Sequence, residues 1–100
     1  MNKKIEKYTK LIESNIDILK DNYKVKNIGL FGSLVREEQT AKSDVDIMIE
    51  FSASVGLFHF IRLKNFLGDI LNCKVDLVQK GAMKPYIEKQ VLKELIMVYE

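Results

Sequence analysis

Val25-Lys26-Asn27-Ile28-Gly29-Leu30-Phe31 runs into Gly32-Ser33, and ten residues later comes Asp44-Val45-Asp46-Ile47-Met48-Ile49-Glu50-Phe51. The first run reads as a buried strand ended by the Gly-Ser pair. The second alternates. Val45, Ile47, Ile49 and Phe51 fall on one face, and Asp44, Asp46, Met48 and Glu50 on the other, as the period of two in a strand requires. Between them, residues 34–43 (LVREEQTAKS) turn polar after two apolar members, enough for one short helical turn and a loop.

Working outward, residues 3–23 predict an amphipathic helix, with Ile5, Tyr8, Ile12, Ile16, Leu19 and Tyr23 stepping by three or four. Leu57 to Leu71 predicts a second helix, apolar on more than one side and so expected to be well buried. Lys74 to Gln79 is a third strand, and Lys80-Gly81 a turn. Pro85 suits the first turn of a third helix, where its missing N–H costs nothing. Ile87, Val91 and Leu95 form the inner face of that helix, and the final Ile-Met-Val-Tyr-Glu is open between helix and strand. Helices and strands alternate, so the fold class is a small α/β (α+β) layer.

The chain has 100 residues, the size of a single domain over 1–100. Hydrophobic residues make up 47%, ample for one core. Sixteen basic against 14 acidic residues give a net charge of +2. The lysines are spread along the chain, so no direct nucleic-acid binding is expected. The lone Cys73 excludes an internal disulfide, and with the lone His59 it excludes the usual zinc spacings. Cys73 reads as an inert small residue at a helix end, and His59 as packing or surface. The longest apolar run, Leu95 to Tyr99, is too short to span a membrane. The expected location is the cytoplasm.

The chemistry gathers around the two opening runs. A glycine after a strand lets the backbone turn sharply and approach a ligand, and Ser33 opens a turn whose free N–H groups and hydroxyl suit a phosphate. Asp44 and Asp46 project from one face, roughly 6.5–7 Å apart by the rise of a strand, a placement that suits Mg²⁺. Asp76, between Val75 and Leu77 on a neighbouring strand, would be costly to bury without a partner. A shared metal would supply one, and three carboxylates can hold two ions for in-line displacement at phosphorus. Asp-x-Asp alone marks an alternating strand with exposed acids as readily, and Gly-Ser alone a helix cap. Together at this spacing, they arise by chance on the order of once in 1,000 chains of this composition. Arg36 either contacts phosphate or pairs with a carboxylate that orients the loop. Ser43 either caps the loop before Asp44 or touches ligand, and Lys42 is a solvated loop lysine or a phosphate contact. Glu50, farther along the strand, has an outer or surface role.

Gly29-Leu30-Phe31-Gly32-Ser33-Leu34-Val35-Arg36, followed by Ser43-Asp44-Val45-Asp46-Ile47, resembles the signature of the DNA-polymerase-β-like nucleotidyltransferases. The shortness of the chain and Lys84-Pro85-Tyr86-Ile87 resemble the minimal nucleotidyltransferases (MNT) among them. The resemblance implies a small polymerase-β-like fold, a mixed sheet of about three or four strands flanked by helices, and an Mg²⁺-dependent enzyme that takes ATP as substrate and releases pyrophosphate. Gly32 and Ser33 would hold the nucleotide triphosphate, with Arg36 and Ser43 as further candidate nucleotide-binding residues. Asp44, Asp46 and Asp76 would be the catalytic residues and the ligands of two Mg²⁺ ions, with Asp76 assisting deprotonation of the acceptor. Members often read Arg-Gly-Glu where this chain has Arg36-Glu37-Glu38, which reshapes the loop without removing a metal ligand.

A chain of this length leaves no room for the second domain with which larger polymerase-β-like enzymes grip the acceptor, so a partner protein or a second copy is the simplest expected grip. The resemblance implies a HEPN-domain RNase toxin, which the MNT antitoxin neutralises by moving AMP onto a tyrosine. Two other classes stay open: a non-catalytic module that inhibits its partner by occlusion, and nucleotidyl transfer to a small molecule or RNA.

Overall fold

The computed structural model describes residues 2–38 and 44–100. The chain runs α1 (Lys3–Ser14), α2 (Ile16–Asp21), β1 (Val25–Phe31), a 3₁₀ turn (Gly32–Leu34), β2 (Val45–Phe51), α3 (Leu57–Leu71), β3 (Val75–Gln79), α4 (Pro85–Glu94) and β4 (Ile96–Tyr99). The sheet order is β3-β2-β1-β4. β1 pairs antiparallel with β2 and β4, and β2 pairs parallel with β3. This is the mixed sheet that the resemblance implies, and the undecided C-terminal segment is its fourth strand.

The predicted helix over 3–23 is two helices. Asn2 caps the first, its Oδ1 accepting from the Lys4 N–H at 2.7 Å. At Ser14 and Asn15 the side chains turn back onto the backbone, Ser14 Oγ to Lys10 O and Asn15 Nδ2 to Leu11 O, both at 2.8 Å. Short polar side chains compete with the helical ladder in this way. Asn15 leaves helical geometry (φ −112°, ψ 14°) and restarts the chain as α2. The apolar stripe survives the break, since Ile5, Tyr8, Ile12 and Leu19 are all buried.

Ile47 and Ile49 of β2 and Ile28 and Leu30 of β1 are fully buried in one core with Ile12, Leu63, Leu67 and Leu71. On the opposite face Phe31, Met48 and Val91 make a second, smaller cluster. Met48 thus keeps the face that alternation assigns to it, with Asp46, but is buried there. Helix α4 buries only Val91, and Ile87 is 42% exposed, because the cluster it covers is small. Nor is α3 buried on more than one side: Leu57 and Phe58 at its start are exposed. His59 packs, as one of its two readings has it, with its Nε2 2.7 Å from Tyr23 O. Among the described residues no helix is long and apolar enough to cross a membrane.

Candidate active site

The parallel register sets Asp46 directly beside Asp76, as Val45 stands beside Val75. In-register neighbours on adjacent strands lie one strand spacing apart with side chains on one face. The two carboxyl groups reach hydrogen-bonding contact. Val75 and Leu77 are buried while Asp76 between them is exposed. The burial cost argued from its apolar neighbours does not arise, because alternation turns Asp76 out of the core.

Asp46 is half-buried, and antiparallel pairing sets it opposite Phe31, the residue before the Gly-Ser turn. Its carboxyl is pushed up to about 6, first by burial and then by the negative charge of Asp76. The Ser33 backbone N–H donates to it and works in the opposite direction. Gly32 has φ +78°, and a Cβ there would overlap the Asp46 carboxylate, 2.8 Å from its Cγ. Only glycine fits this crossing, in conformation and in space.

The N–H groups of this turn are not free, as the sequence reading supposes. Ser33 N–H serves Asp46, and Gly32 N–H donates to Glu94 Oε1 at 3.1 Å. Arg36 takes its carboxylate-pairing reading. Its Nη1 lies 3.0 Å from both Glu94 oxygens, and its Nε 2.7 Å from Glu38 Oε1. Glu37, where the family pattern often has glycine, stands at φ +61°. The backbone keeps the glycine conformation, at a cost of about 1–2 kcal/mol for a side chain.

Asp44 stands exposed one residue before β2. It borders a polar cleft of ≈ 490 Å³ lined also by Lys64, Asn65, Asp69, Cys73 and Lys74. The Cys73 thiol is pushed up by burial, as suits an unreactive residue. Glu50 accepts from Asn27 Nδ2 at 2.8 Å, away from the paired aspartates. Ser43 and Lys42 lie outside the described residues.

Asp46 and Asp76 offer only oxygen donors, and two like charges at this distance favour a cation between them. They fit Mg²⁺, which takes one or two carboxylates and completes its shell with water and substrate phosphate. Among the described residues no group of three or more His, Cys, Asp or Glu side chains is gathered closely enough to hold a metal ion. The expected set of three carboxylates is therefore not gathered here: Asp44 stands apart from the pair and acts on Asp46 only through its charge. Sequence reasoning missed Glu94. A carboxylate in the last turn of a helix opposes the macrodipole, so its position in α4 was the available sign that it needs a cationic or N–H partner.

A nucleotidyltransferase domain model matches residues 12–98. The chain belongs to that family. It is 46% identical over 97 residues to MJ0128 of Methanocaldococcus jannaschii, assigned as a protein adenylyltransferase, covering 96% of this chain and 99% of that one. It is 37% identical over 94 residues to the protein adenylyltransferase MntA of Thermococcus cleftensis, covering 94% and 95%. A solved toxin–antitoxin structure with AMP-PNP superposes with a TM-score of 0.74 at 27% identity, covering 91% of this chain and 72% of that one. A solved structure described as a minimal nucleotidyltransferase superposes with a TM-score of 0.77 at 29% identity, covering 92% of this chain and 93% of that one, so the fold is the one the resemblance implies.

Proposed function

We propose that this enzyme moves AMP from ATP onto a tyrosine hydroxyl of a HEPN-domain toxin in the cytoplasm and so acts as its antitoxin. The observation that carries the reading is the Asp46–Asp76 pair against the Gly32–Ser33 turn. Two full-length relatives that bear the name protein adenylyltransferase support the reaction type. The toxin–antitoxin relative with AMP-PNP supports both a nucleotide and a toxin as the molecules handled.

In this reading Ser33 and the turn hold the triphosphate, with Arg36 near its charge and Ser43 in the adjoining loop. The acceptor oxygen attacks the α-phosphorus in line. One P–O bond forms, the bond to pyrophosphate breaks, and Asp76 takes the acceptor's proton. Asp46 and Asp76 would hold Mg²⁺, which supplies neutralisation of charge on the phosphates and on the entering and leaving oxygens. The rest of the rate comes from positioning, as in other phosphoryl-type transfers. Asp46 and the turn are built for that, since each fixes the other.

The test is intact-mass spectrometry of the neighbouring HEPN protein, incubated with this chain, Mg²⁺ and each ribonucleoside triphosphate in turn. The expected result is stepwise gain of adenylyl groups with ATP, abolished by Asp44→Asn/Asp46→Asn. A stable complex with no mass gain from any nucleotide would leave inhibition by occlusion.

A further inference from the structure

The Gly32–Ser33 turn is held by two carboxylates from opposite sides, and only one of them belongs to the Asp46–Asp76 pair. The other is Glu94. Its Oε1 accepts the Gly32 N–H at 3.1 Å, and both its oxygens lie 3.0 Å from Arg36 Nη1. The residue is 62 positions from Gly32 in sequence, at the end of α4, with its side chain only 23% exposed.

Its position is set by the sheet. Two residues on, Ile96 pairs with Leu30, and Met97 with Gly29. β4 comes this close because Gly29 lacks a side chain. A Cβ there would lie 2.7 Å from Leu95 Cδ1 and 3.0 Å from Ile96 O. Gly29 thus admits β4, β4 fixes the end of α4, and the end of α4 brings Glu94 to the turn. A carboxylate at a helix C-terminus is unfavourable, and a charge-assisted contact with Arg36 together with one backbone N–H offsets that cost.

We infer that Glu94 is a positioning residue for the nucleotide. It clamps Gly32 and Arg36 so that the turn and the guanidinium keep one placement relative to Asp46. The inference rests on the reading of the turn as the ATP-binding element. Glu94 acts through Gly32 and Arg36 and makes no contact with substrate in this account.

Calorimetric titration of ATP with Mg²⁺ into the full chain, together with the transfer assay, tests it. All variants are measured below their melting temperatures. Glu94→Ala should weaken ATP binding about tenfold or more and raise KM in step, with kcat at saturating ATP within about threefold of wild type. Glu94→Gln should stay within about threefold in affinity, because its amide oxygen still accepts from Gly32. Glu94→Ala/Arg36→Ala should bind no worse than the weaker single variant, as coupled residues do. Should Glu94→Ala fail to fold, Glu94→Asp takes its place, being one methylene too short to keep both partners. Wild-type affinity in a variant of lowered melting temperature would reduce Glu94 to scaffold and overturn the inference. Tighter binding would also overturn it, making Glu94 an anion in the phosphate's place. Wild-type protein that binds no ATP would sink the nucleotide reading itself.

Discussion

The two faces of β2 are built from alternate residues of one strand and behave differently. Val45, Ile47, Ile49 and Phe51 are buried under α1 and α3 in the main core. On the other face only Met48 joins a small cluster, while Asp46 meets Asp76 and the Gly-Ser turn. The first face supplies burial free energy. The second carries a costly half-buried carboxylate that the first face must support. Rigid strands with one apolar face can hold like charges together, because slipping the register by one residue would put every aspartate into the core.

Breaking each face should give opposite signatures. The largest expected effect is on chemistry. Asp46→Asn should lower adenylyl transfer by at least about 10³-fold, roughly 4 kcal/mol of barrier, while the far-ultraviolet circular dichroism spectrum stays unchanged. Transfer near the wild-type rate would remove Asp46 from the working site. On the opposite face, Ile47→Ala deletes a fully buried side chain and should cost about 2–5 kcal/mol in denaturant unfolding. Its transfer rate per folded molecule should remain near wild type. A loss of chemistry without a loss of stability would refute the division of labour between faces.

A smaller effect follows from the Asp46 carboxyl, pushed up to about 6 from 3.8. Its pKa in the folded chain lies above that in the unfolded one, so the native state holds the extra proton in between. Its contribution is fully present below about pH 4 and is lost as pH rises through about 6. Without divalent cations, the melting temperature of Asp46→Asn should therefore exceed that of wild type at pH 7 by more than at pH 4. Millimolar Mg²⁺ should raise the wild type and not the variant. A pH-independent difference between the two would contradict the burial argument. Smallest of all, Glu37→Gly removes a side chain from φ +61°. It should add up to about 1 kcal/mol of stability, the penalty of that conformation less the extra freedom of an unfolded glycine. A loss in equilibrium unfolding would show that Glu37 is held by its surroundings.

Strands, the Gly-Ser turn and the paired aspartates were legible because each rests on local pattern: alternation, a turn residue, a fixed spacing. The apolar stripe of 3–23 was legible for the same reason, but the break at Asn15 was not, since it depends on side-chain bonds to Lys10 O and Leu11 O. Asp76 could be assigned to a strand, yet its pairing with Asp46 needed the register of a parallel ladder. That ladder is closed by the α3 crossover and carries no turn signal to fix it. That Glu94 needs a partner could be suspected from its place in a helix's last turn, but not which one, because Gly32 and Arg36 lie 62 and 58 positions away. β4 was ambiguous because a run of apolar residues has no period of its own.

The most direct test of the account is growth of cells that express the cognate HEPN toxin with either the wild-type chain or Asp46→Asn, at matched expression and with complex formation verified. The account predicts rescue by the wild type and none by the variant, because neutralisation is chemical. Equal rescue by both would contradict it, leaving the carboxylate pair without a part in neutralisation.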